Sequence, residues 1–269
     1  MSSLPWLPYW RLFVAGIRQQ ATYRLAMVGG LIANATFGFL KTAILSATVV
    51  AGGGTVGGYD GAMMATYVWV GQGMLGSLNL NGRLDLADRI NTGDITTDFL
   101  RPLDVQTATI ATEVGKAVYA LLPRGVPSLL IGALFVGLGT PESPWSWVLG
   151  LVSLALGMVV SQTTVYVLTT AGFWLVELRG LQTMYMMLSG FLAGLFVPVT
   201  LFPDWLATIA HATPFPSMMQ YPIDVFTEHS GMTGSIERVA AQCFWLALTW
   251  LAGWWLTRLG RQRLEVQGG

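Results

Sequence analysis

Charge is scarce in this chain. Only 10% of its 269 residues are Asp, Glu, Lys or Arg, against roughly 25% in an ordinary soluble domain. Hydrophobic residues make up 53%, in long continuous runs, whereas the strands of a membrane β-barrel are alternating segments of about 10 residues. The composition excludes a soluble domain. It predicts an all-α, multi-pass protein of the cell (plasma or inner) membrane, with a single membrane domain over residues 1–269.

Residues that carry out chemistry are also few. The single cysteine, Cys243, excludes a disulfide framework and a thiol metal site. His211 and His229 do not have the HExxH spacing of a zinc site. A lipid-modifying membrane enzyme needs convergent reactive groups near an interface, so that class is disfavoured. We expect no catalytic residue, no metal and no cofactor bound by this chain, and no nucleic-acid partner.

Two glycine patterns resemble nucleotide-binding motifs but fail on composition or context. The phosphate-binding pattern GxxxxGK[ST] is approached at residues 110–117, where Ile110 replaces the first glycine and Ala117 follows the lysine. A GxGxxG pattern occupies residues 71–76, but it lies inside an apolar run and not between a strand and a helix. We predict that these glycines allow close helix packing. The chain is not expected to bind ATP through a phosphate-binding loop.

The apolar runs predict six membrane-spanning helices, because about 20 apolar residues cross the hydrocarbon core. Pro123, Arg124 and Pro127 interrupt the start of the third run, and we expect Arg124 to reach back to the nearby interface. The predicted spans are Leu25–Val50, Ala62–Leu80, Val118–Leu138, Trp147–Phe173, Leu181–Phe202 and Val239–Thr257.

Basic residues are absent from segments 51–61, 139–146 and 203–237, which nevertheless contain acidic residues. Since Lys and Arg are retained on the cytoplasmic side, these segments are predicted to be external. Both termini and the segment between the second and third spans are predicted to be cytoplasmic. The basic residues behind this orientation are Arg11, Arg18, Arg24, Arg83, Arg89, Arg101, Lys116, Arg124, Arg179, Arg258, Arg261 and Arg263.

Two segments outside the runs are predicted to lie at the membrane surface. Residues 203–237 are too apolar for a free loop and too broken by proline for a span, so we expect them to dip into the outer leaflet; a purely structural lid is the alternative. Residues 1–24 are expected to form an interfacial helix. The residues that share its apolar face are Trp10, Phe13, Val14, Ile17 and Ala21.

Residues 82–104 contain eight charged residues between two apolar runs. Leu86 and Ile90 lie four apart among charged neighbours, which predicts a short amphipathic helix. Gly93 is a natural stop for this helix, and Asp104 can cap the helix that follows. The pattern predicts a cytoplasmic helix–turn–helix. An ordinary solvated loop is the alternative.

The order of these segments resembles the permeases of the ABC type-2 transporter family. Those proteins have an interfacial N-terminal helix, six spans, a cytoplasmic element like the INTGDITTDFLRPLD of this chain, and a proline-rich external segment. At residue level, Gly93–Leu103 resembles the Gly...Leu-x-Arg-Pro-Leu element of a branch without a fused nucleotide-binding domain. The resemblance implies re-entrant external helices between the fifth and sixth spans.

The resemblance also implies that the chain is a transport subunit and not itself an enzyme. ATP and Mg would be bound by a dimer of a cytoplasmic ATP-binding-cassette ATPase. A second permease subunit, the same or a homologous chain, would complete the membrane part. Export of an amphiphilic or hydrophobic compound or drug is implied. The residues implied to couple the chain to the ATPase are Arg83, Asp85, Asp88, Arg89, Gly93, Asp94, Asp98, Arg101 and Pro102.

Several residues inside or beside the spans are candidates for a substrate path. Lys41 is the clear charged residue within a span, where burial is costly, although it can snorkel to the outer interface. Gln72, Asn79 and Gln162 can line a path or bond neighbouring helices, and Trp174 can offer substrate an apolar surface or face lipid. An ion-coupled secondary transporter is the alternative function, but the spans lack the paired carboxylates it would use.

Overall fold

The computed structural model describes residues 6–267, except for the side chains of Arg24 and of residues 264–267. The first five residues of the predicted interfacial segment therefore lie outside the described part. The side chain of Arg24 lies outside it too. Within the described range the backbone is helical, with one isolated bridge between Val56 and Tyr59 and no longer strand. The all-α prediction is confirmed.

The helices differ widely in length, and α6 continues into α7 through a π-helical turn at Leu121–Gly125. In chain order the α-helices are α1 Leu7–Ala21, α2 Arg24–Ala51, α3 Gly61–Met74, α4 Asp85–Thr92, α5 Ile95–Phe99, α6 Val105–Ala120, α7 Val126–Phe135, α8 Pro144–Thr170, α9 Arg179–Leu192, α10 Asp204–His211, α11 Phe215–Met218, α12 Gln220–Phe226 and α13 Gly231–Gln267.

Four stretches of the described chain are long and apolar enough to cross a membrane. They overlap the first, third, fourth and sixth predicted spans. The last helix is 37 residues long and begins at Gly231, so the final residues of the predicted external segment belong to α13. The four stretches are Leu25–Ala51, Val105–Phe135, Pro144–Phe173 and Gly231–Arg263.

The second and fifth predicted spans contain shorter helices than expected. Helices α3 and α9 are 14 residues long and end at Met74 and Leu192, well before the predicted ends at residues 80 and 202. Gly194 stops α9 with a left-handed φ of +85°. A helix of this length covers about 21 Å, less than the roughly 30 Å of a bilayer core. The six-span topology stays a prediction.

The third predicted span lies in a helical run that begins at Val105, ahead of the predicted Val118. Asp104 caps this run as predicted, because its Oδ1 accepts a hydrogen bond from the backbone N–H of Thr107 at 2.8 Å. The run is 31 residues long, which exceeds the length needed to cross a bilayer.

Pro123 and Pro127 fall in the middle of this run and not at its start. A proline lacks the N–H that an α-helical turn requires, and the chain accommodates the pair with the π-helical turn at Leu121–Gly125. Arg124 consequently lies well inside the run. Its distance from a membrane interface stays a prediction.

Helix α1 packs along the first half of α6 through two glycines. A Cβ atom added to Gly16 would lie 2.0 Å from the carbonyl oxygen of Thr112, and one added to Gly115 would lie 2.1 Å from that of Phe13. Trp10, from the predicted apolar face of α1, is 53% exposed. The contact is centred on Gly16 because small residues let the backbones approach. Placement of the apolar face at the membrane surface stays a prediction.

The helix bundle has two ends that carry different segments. Helices α2 and α3 pack as a hairpin, and its turn, residues 52–60, marks one end, here named the 52–60 end. The chain then passes through α3 to α4 and α5, which mark the other end, here named the 85–99 end.

Both described ends of the chain approach the 85–99 end. The backbone N–H of Asp104 donates to the Tyr9 hydroxyl at 3.0 Å, and the Arg261 guanidinium lies 5.5 Å from the centre of the Phe99 ring. These contacts agree with the prediction that both termini lie on the same side of the membrane as residues 82–104. Which side of the membrane they occupy stays a prediction.

Candidate functional site

The charged element between the second and third predicted spans is a helix–turn–helix, as predicted. Helix α4 ends where Gly93 adopts a φ of +82°, a left-handed conformation that favours glycine. Asp94 then leads directly into α5. Asp85 and Asp88 lie in the first turn of α4, where negative charge interacts favourably with the helix dipole.

An apolar face anchors this element to the bundle. Leu86 and Ile90 of α4 are buried in a cluster that includes Tyr166 of α8 and Phe173 just after it. Ile95 of α5, 1% exposed, belongs to the same cluster. The element is therefore packed against α8, and the solvated-loop alternative is wrong for these residues.

Ion pairs inside the element fix α4 against α5. Arg89 and Asp98 approach to 2.6 Å, and Arg101 lies 3.4 Å from the same carboxylate. The Asp98 side chain is only 14% exposed. Arg89 and Asp98 were both predicted to pair with a partner protein. Because they pair with each other, we assign them a structural role, which is to hold α4 against α5. Arg83 and Pro102, which flank it, are exposed.

Three acidic side chains of the element remain exposed: Asp85, Asp88 and Asp94, here named the acidic edge. Among the described residues Asp88 has no ion-pair partner, and Asp94 accepts a hydrogen bond from the Thr92 hydroxyl at 2.8 Å. Leu100, directly after α5, is 86% exposed. A rigid acidic edge beside an exposed leucine is suited to binding a protein surface with basic and apolar groups.

The Arg89–Asp98 pair can be tested by exchanging its charges. Arg89→Asp places two carboxylates together, and because Arg89 is 40% exposed we expect a loss of only about 1 kcal/mol in the free energy of unfolding. Limited proteolysis should cut between α4 and α5 faster. The double variant Arg89→Asp/Asp98→Arg should restore most of both properties; the remainder is lost because Arg101 no longer has a carboxylate at position 98. A double variant as defective as the single one would show that this pair does not hold the two helices together.

Lys116 of α6 connects the acidic edge to the interior. Its Nζ lies 2.7 Å from Glu113 Oε1 and 3.7 Å from Asp85 Oδ2. The Lys116 and Glu113 side chains are 18% and 16% exposed, whereas Asp85 is 83% exposed. One cation therefore bridges a largely buried carboxylate and the first turn of α4.

Two of the five candidate residues for a substrate path meet in one cavity. Asn79 and Gln162 line it together with Glu113 and Lys116. The cavity lies where the segment after α3 passes between α6 and α8. The structure therefore places part of the predicted path next to the link between α6 and the acidic edge.

The other three candidates lie elsewhere. Lys41 and Gln72 line a separate, smaller pocket, and Lys41 Nζ donates to the carbonyl oxygen of Leu195 at 2.5 Å. The reach of Lys41 to the outer interface stays a prediction. Trp174 follows α8 at the 85–99 end, where it meets the Phe173 ring edge to face at 6.0 Å, so it does not join the same path.

Arg124 is also held inside the bundle. Its Nη2 donates to Asn34 Oδ1 at 3.1 Å, and Asn34 Nδ2 donates to the backbone oxygen of Gln72 at 2.8 Å. The guanidinium lies against Gly30 of α2, where a Cβ atom would be 2.6 Å from it. Arg124 thus links α2 and α3 to the π-helical turn. Its reach to an interface stays a prediction.

A buried polar cluster at the 52–60 end was not predicted from the sequence. The side chain of Asp224 is 1% exposed, and its Oδ2 accepts from Arg238 Nε at 2.8 Å. Its Oδ1 accepts from the Tyr59 hydroxyl and from Gln220 Nε2, and Gln220 Oε1 accepts from the Tyr67 hydroxyl at 2.8 Å. This Asp224 cluster joins α3 and the 52–60 turn to α12 and α13.

Burial controls protonation around the cluster. It raises the pKa of the Tyr59 hydroxyl far above its ordinary value, and the Asp224 charge raises this pKa further. The phenol therefore stays protonated and keeps donating. His211, whose Nδ1 lies 2.9 Å from the Tyr221 hydroxyl, has its pKa lowered by burial and then by the Arg238 charge.

The sequence did contain a signal for this cluster. Arg238 stands one residue before the predicted sixth span, and Asp224 was counted only as one acidic residue of an external segment. Both lie among apolar neighbours, where an ionised group needs a partner. Gln220 and Asp224 also lie four apart, which places them on one face of a helix.

These features define the class: a multi-pass helical membrane protein with a rigid, exposed helix–turn–helix at one end of its bundle. Comparison with known families agrees with this class, because a model of the family described as ABC-2 family transporter protein matches residues 35–268. The chain belongs to the ABC-2 transporter family, whose members form the membrane component of ABC transporters. No curated protein matches the chain.

Proposed function

We propose that this chain is the permease subunit of an ATP-binding-cassette transporter whose ATP is hydrolysed by a separate cytoplasmic ATPase dimer. The observation that carries the proposal is the element α4–α5. It is fixed internally by the Arg89–Asp98 pair, anchored through Leu86 and Ile90, and exposed along its acidic edge. Membership of the ABC-2 family supplies the class of partner.

Movement of the ATPase would pass through two contacts. The apolar face of α4 presses on the end of α8, and the Asp85–Lys116 contact reaches α6. When two ATPase subunits close on ATP, the element moves as a rigid body and carries the ends of α6 and α8 with it. The consequence is a change of access to a cavity in the membrane part.

The finer parts of the proposal follow from charge distribution and family membership. Six spans, with both termini and the 85–99 end cytoplasmic, would place the Asp224 cluster and the short helices α10, α11 and α12 on the external side. There they would form the re-entrant closure of an exit. A second permease subunit, the same chain or a homologous one, would complete the path. We propose export of an amphiphilic compound.

Purification of the tagged chain from its native host tests this function. In mild detergent we expect a stoichiometric ABC-type ATPase to copurify, with measurable ATP hydrolysis in the eluate. Mass spectrometry would also reveal whether a sister permease is present. A pure chain without ATPase subunits or activity would contradict the proposal and favour an ion-coupled secondary transporter.

A further inference from the structure

The cavity between α3, α6 and α8 has the chemistry of a headgroup site. Its volume is about 290 Å³, at or below the lower end of the roughly 300–1,000 Å³ typical of pockets that hold a whole small ligand. Polar residues dominate its lining, with Gly76, Leu78 and Ala117 as apolar members. A cavity of this size suits a polar headgroup whose tail remains outside.

The charges of the cavity are paired and largely withdrawn from solvent. Lys116 Nζ and Glu113 Oε1 lie 2.7 Å apart, with their side chains 18% and 16% exposed. A fixed cation beside a fixed anion is complementary to a headgroup that carries one charge of each sign. A headgroup with a single charge would satisfy one member of the pair and be repelled by the other.

Gln162 supplies a further observation, which is independent of the cavity volume and of the Lys116–Glu113 pair. The residue lines the cavity and is 4% exposed, yet its Oε1 has no hydrogen-bond partner among the described residues. A buried amide oxygen without a donor is costly, and most such groups in folded proteins are satisfied. Because Oε1 is closed off from solvent, a turn of the amide brings it to the cavity, where an N–H donor on the ligand completes it.

We propose that this cavity binds the headgroup of a single-chain amphiphile that carries a primary ammonium and an anionic group. The ammonium donates to Glu113 and to the amide oxygen of Gln162, while the anionic group is held by Lys116. The inference rests on the proposed function for its role in transport, but the binding itself requires no ATPase.

The site is also joined to the coupling element. Lys116 Nζ lies 3.7 Å from Asp85 Oδ2, so an anionic group that binds Lys116 competes with the carboxylate in the first turn of α4. Occupancy of the cavity thereby loosens one of the two contacts between α4 and the bundle. Through this competition, a bound headgroup can change the ATP hydrolysis rate of the partner ATPase.

Three lysophospholipids with the same acyl chain test the specificity. Lysophosphatidylethanolamine has both groups, lysophosphatidylcholine lacks the N–H donors, and lysophosphatidylglycerol lacks the cation. Binding to the full chain in a maltoside detergent is measured by native mass spectrometry. We expect the ethanolamine headgroup to bind about tenfold more tightly than the other two, the effect of one charge-assisted hydrogen bond. Equal affinities for all three would overturn the proposal.

The variant Gln162→Leu separates a binding role from a structural one. Because Oε1 of Gln162 has no hydrogen-bond partner among the described residues, the thermal unfolding temperature should stay the same or rise, while the ethanolamine preference falls about tenfold. Glu113→Gln should also lose the preference, whereas Glu237→Gln, an exposed carboxylate elsewhere on the chain, should keep it. Retention of the full preference by Gln162→Leu or by Glu113→Gln would overturn the proposal.

The ATPase measurements keep this inference distinct from the proposed function. Ethanolamine-selective binding by a chain that copurifies with no ATPase would leave the headgroup site standing and remove the transporter role. A copurifying ATPase with no headgroup selectivity in the chain would support the transporter role and remove the headgroup site.

Discussion

Replacing Asp88 and Asp94 together by lysine is expected to reduce the copurification of the ATPase at least tenfold, and the ATP hydrolysis of the complex with it. Both side chains are exposed and neither forms an ion pair within the described residues, so their charge is free for a partner. Reversing charges at a docking surface places like charges opposite each other, which costs several kcal/mol. The measurements are the yield of ATPase per permease and the ATPase rate of the eluate.

The matched control is Glu142→Lys. Glu142 is exposed and belongs to the segment between α7 and α8 at the 52–60 end, so its reversal should leave copurification unchanged. The thermal unfolding temperature of Asp88→Lys/Asp94→Lys should also stay near that of the unmodified chain, because the change removes only an exposed helix-dipole interaction and one exposed hydrogen bond. Normal copurification by the double variant would show that the acidic edge does not dock.

Replacing Arg238 by methionine is expected to destabilise the protein by about 3–5 kcal/mol, since it leaves a buried carboxylate without its cation. Asp224 is 1% exposed and Arg238 18% exposed, so water cannot replace the lost partner. Removing the cation also weakens the hold on Tyr59 and Gln220 through the shared carboxylate. The free energy of unfolding, measured in detergent with the same lipid content, gives the magnitude.

The double variant Arg238→Met/Asp224→Asn provides the control for this result. It removes both charges, and an uncharged pair of similar size should recover a large part of the lost stability. If Arg238→Met is as stable as the unmodified chain, the ion pair does not hold α12 to α13. If the double variant is worse than the single one, hydrogen bonds of Asp224 and not its charge dominate the cluster.

The local pattern of residues 85–104 was enough to predict their structure. Apolar residues four apart, the left-handed Gly93 and the capping Asp104 act within a few residues of one another, so the sequence contains the whole cause. The internal pairing of Arg89 with Asp98 was not predicted, because the turn at Gly93 decides which charges meet across α4 and α5.

The C-terminal end of α3 could not be predicted from hydropathy. Apolar residues continue to Leu80, but the helix stops at Met74 because side chains from distant helices satisfy the extended backbone. Ser161 Oγ accepts from the Asn79 N–H at 2.9 Å, and Ser189 Oγ donates to the Leu80 oxygen at 3.0 Å. Such bonds depend on tertiary packing, which a single segment does not specify.

The Asp224 cluster was missed for the same reason. Tyr59, Tyr67, Gln220 and Arg238 are distant along the chain, and each alone resembles an ordinary interfacial residue. Only the packing of α12 against α3 and α13 brings them to one carboxylate. The sequence contained the charged positions that needed partners, but only the fold shows that they are buried and which partners they have.

Cysteine cross-linking in native membranes tests the central claim, that α4–α5 docks on an ATPase. In a Cys243→Ala background, which removes the one exposed thiol, Thr96→Cys labels α5 and Thr55→Cys labels the 52–60 turn; both positions are exposed. With a photoactivatable reagent on each cysteine, position 96 should cross-link to an ABC-type ATPase and position 55 should not. An ATPase captured equally from both positions, or from neither, would contradict the account.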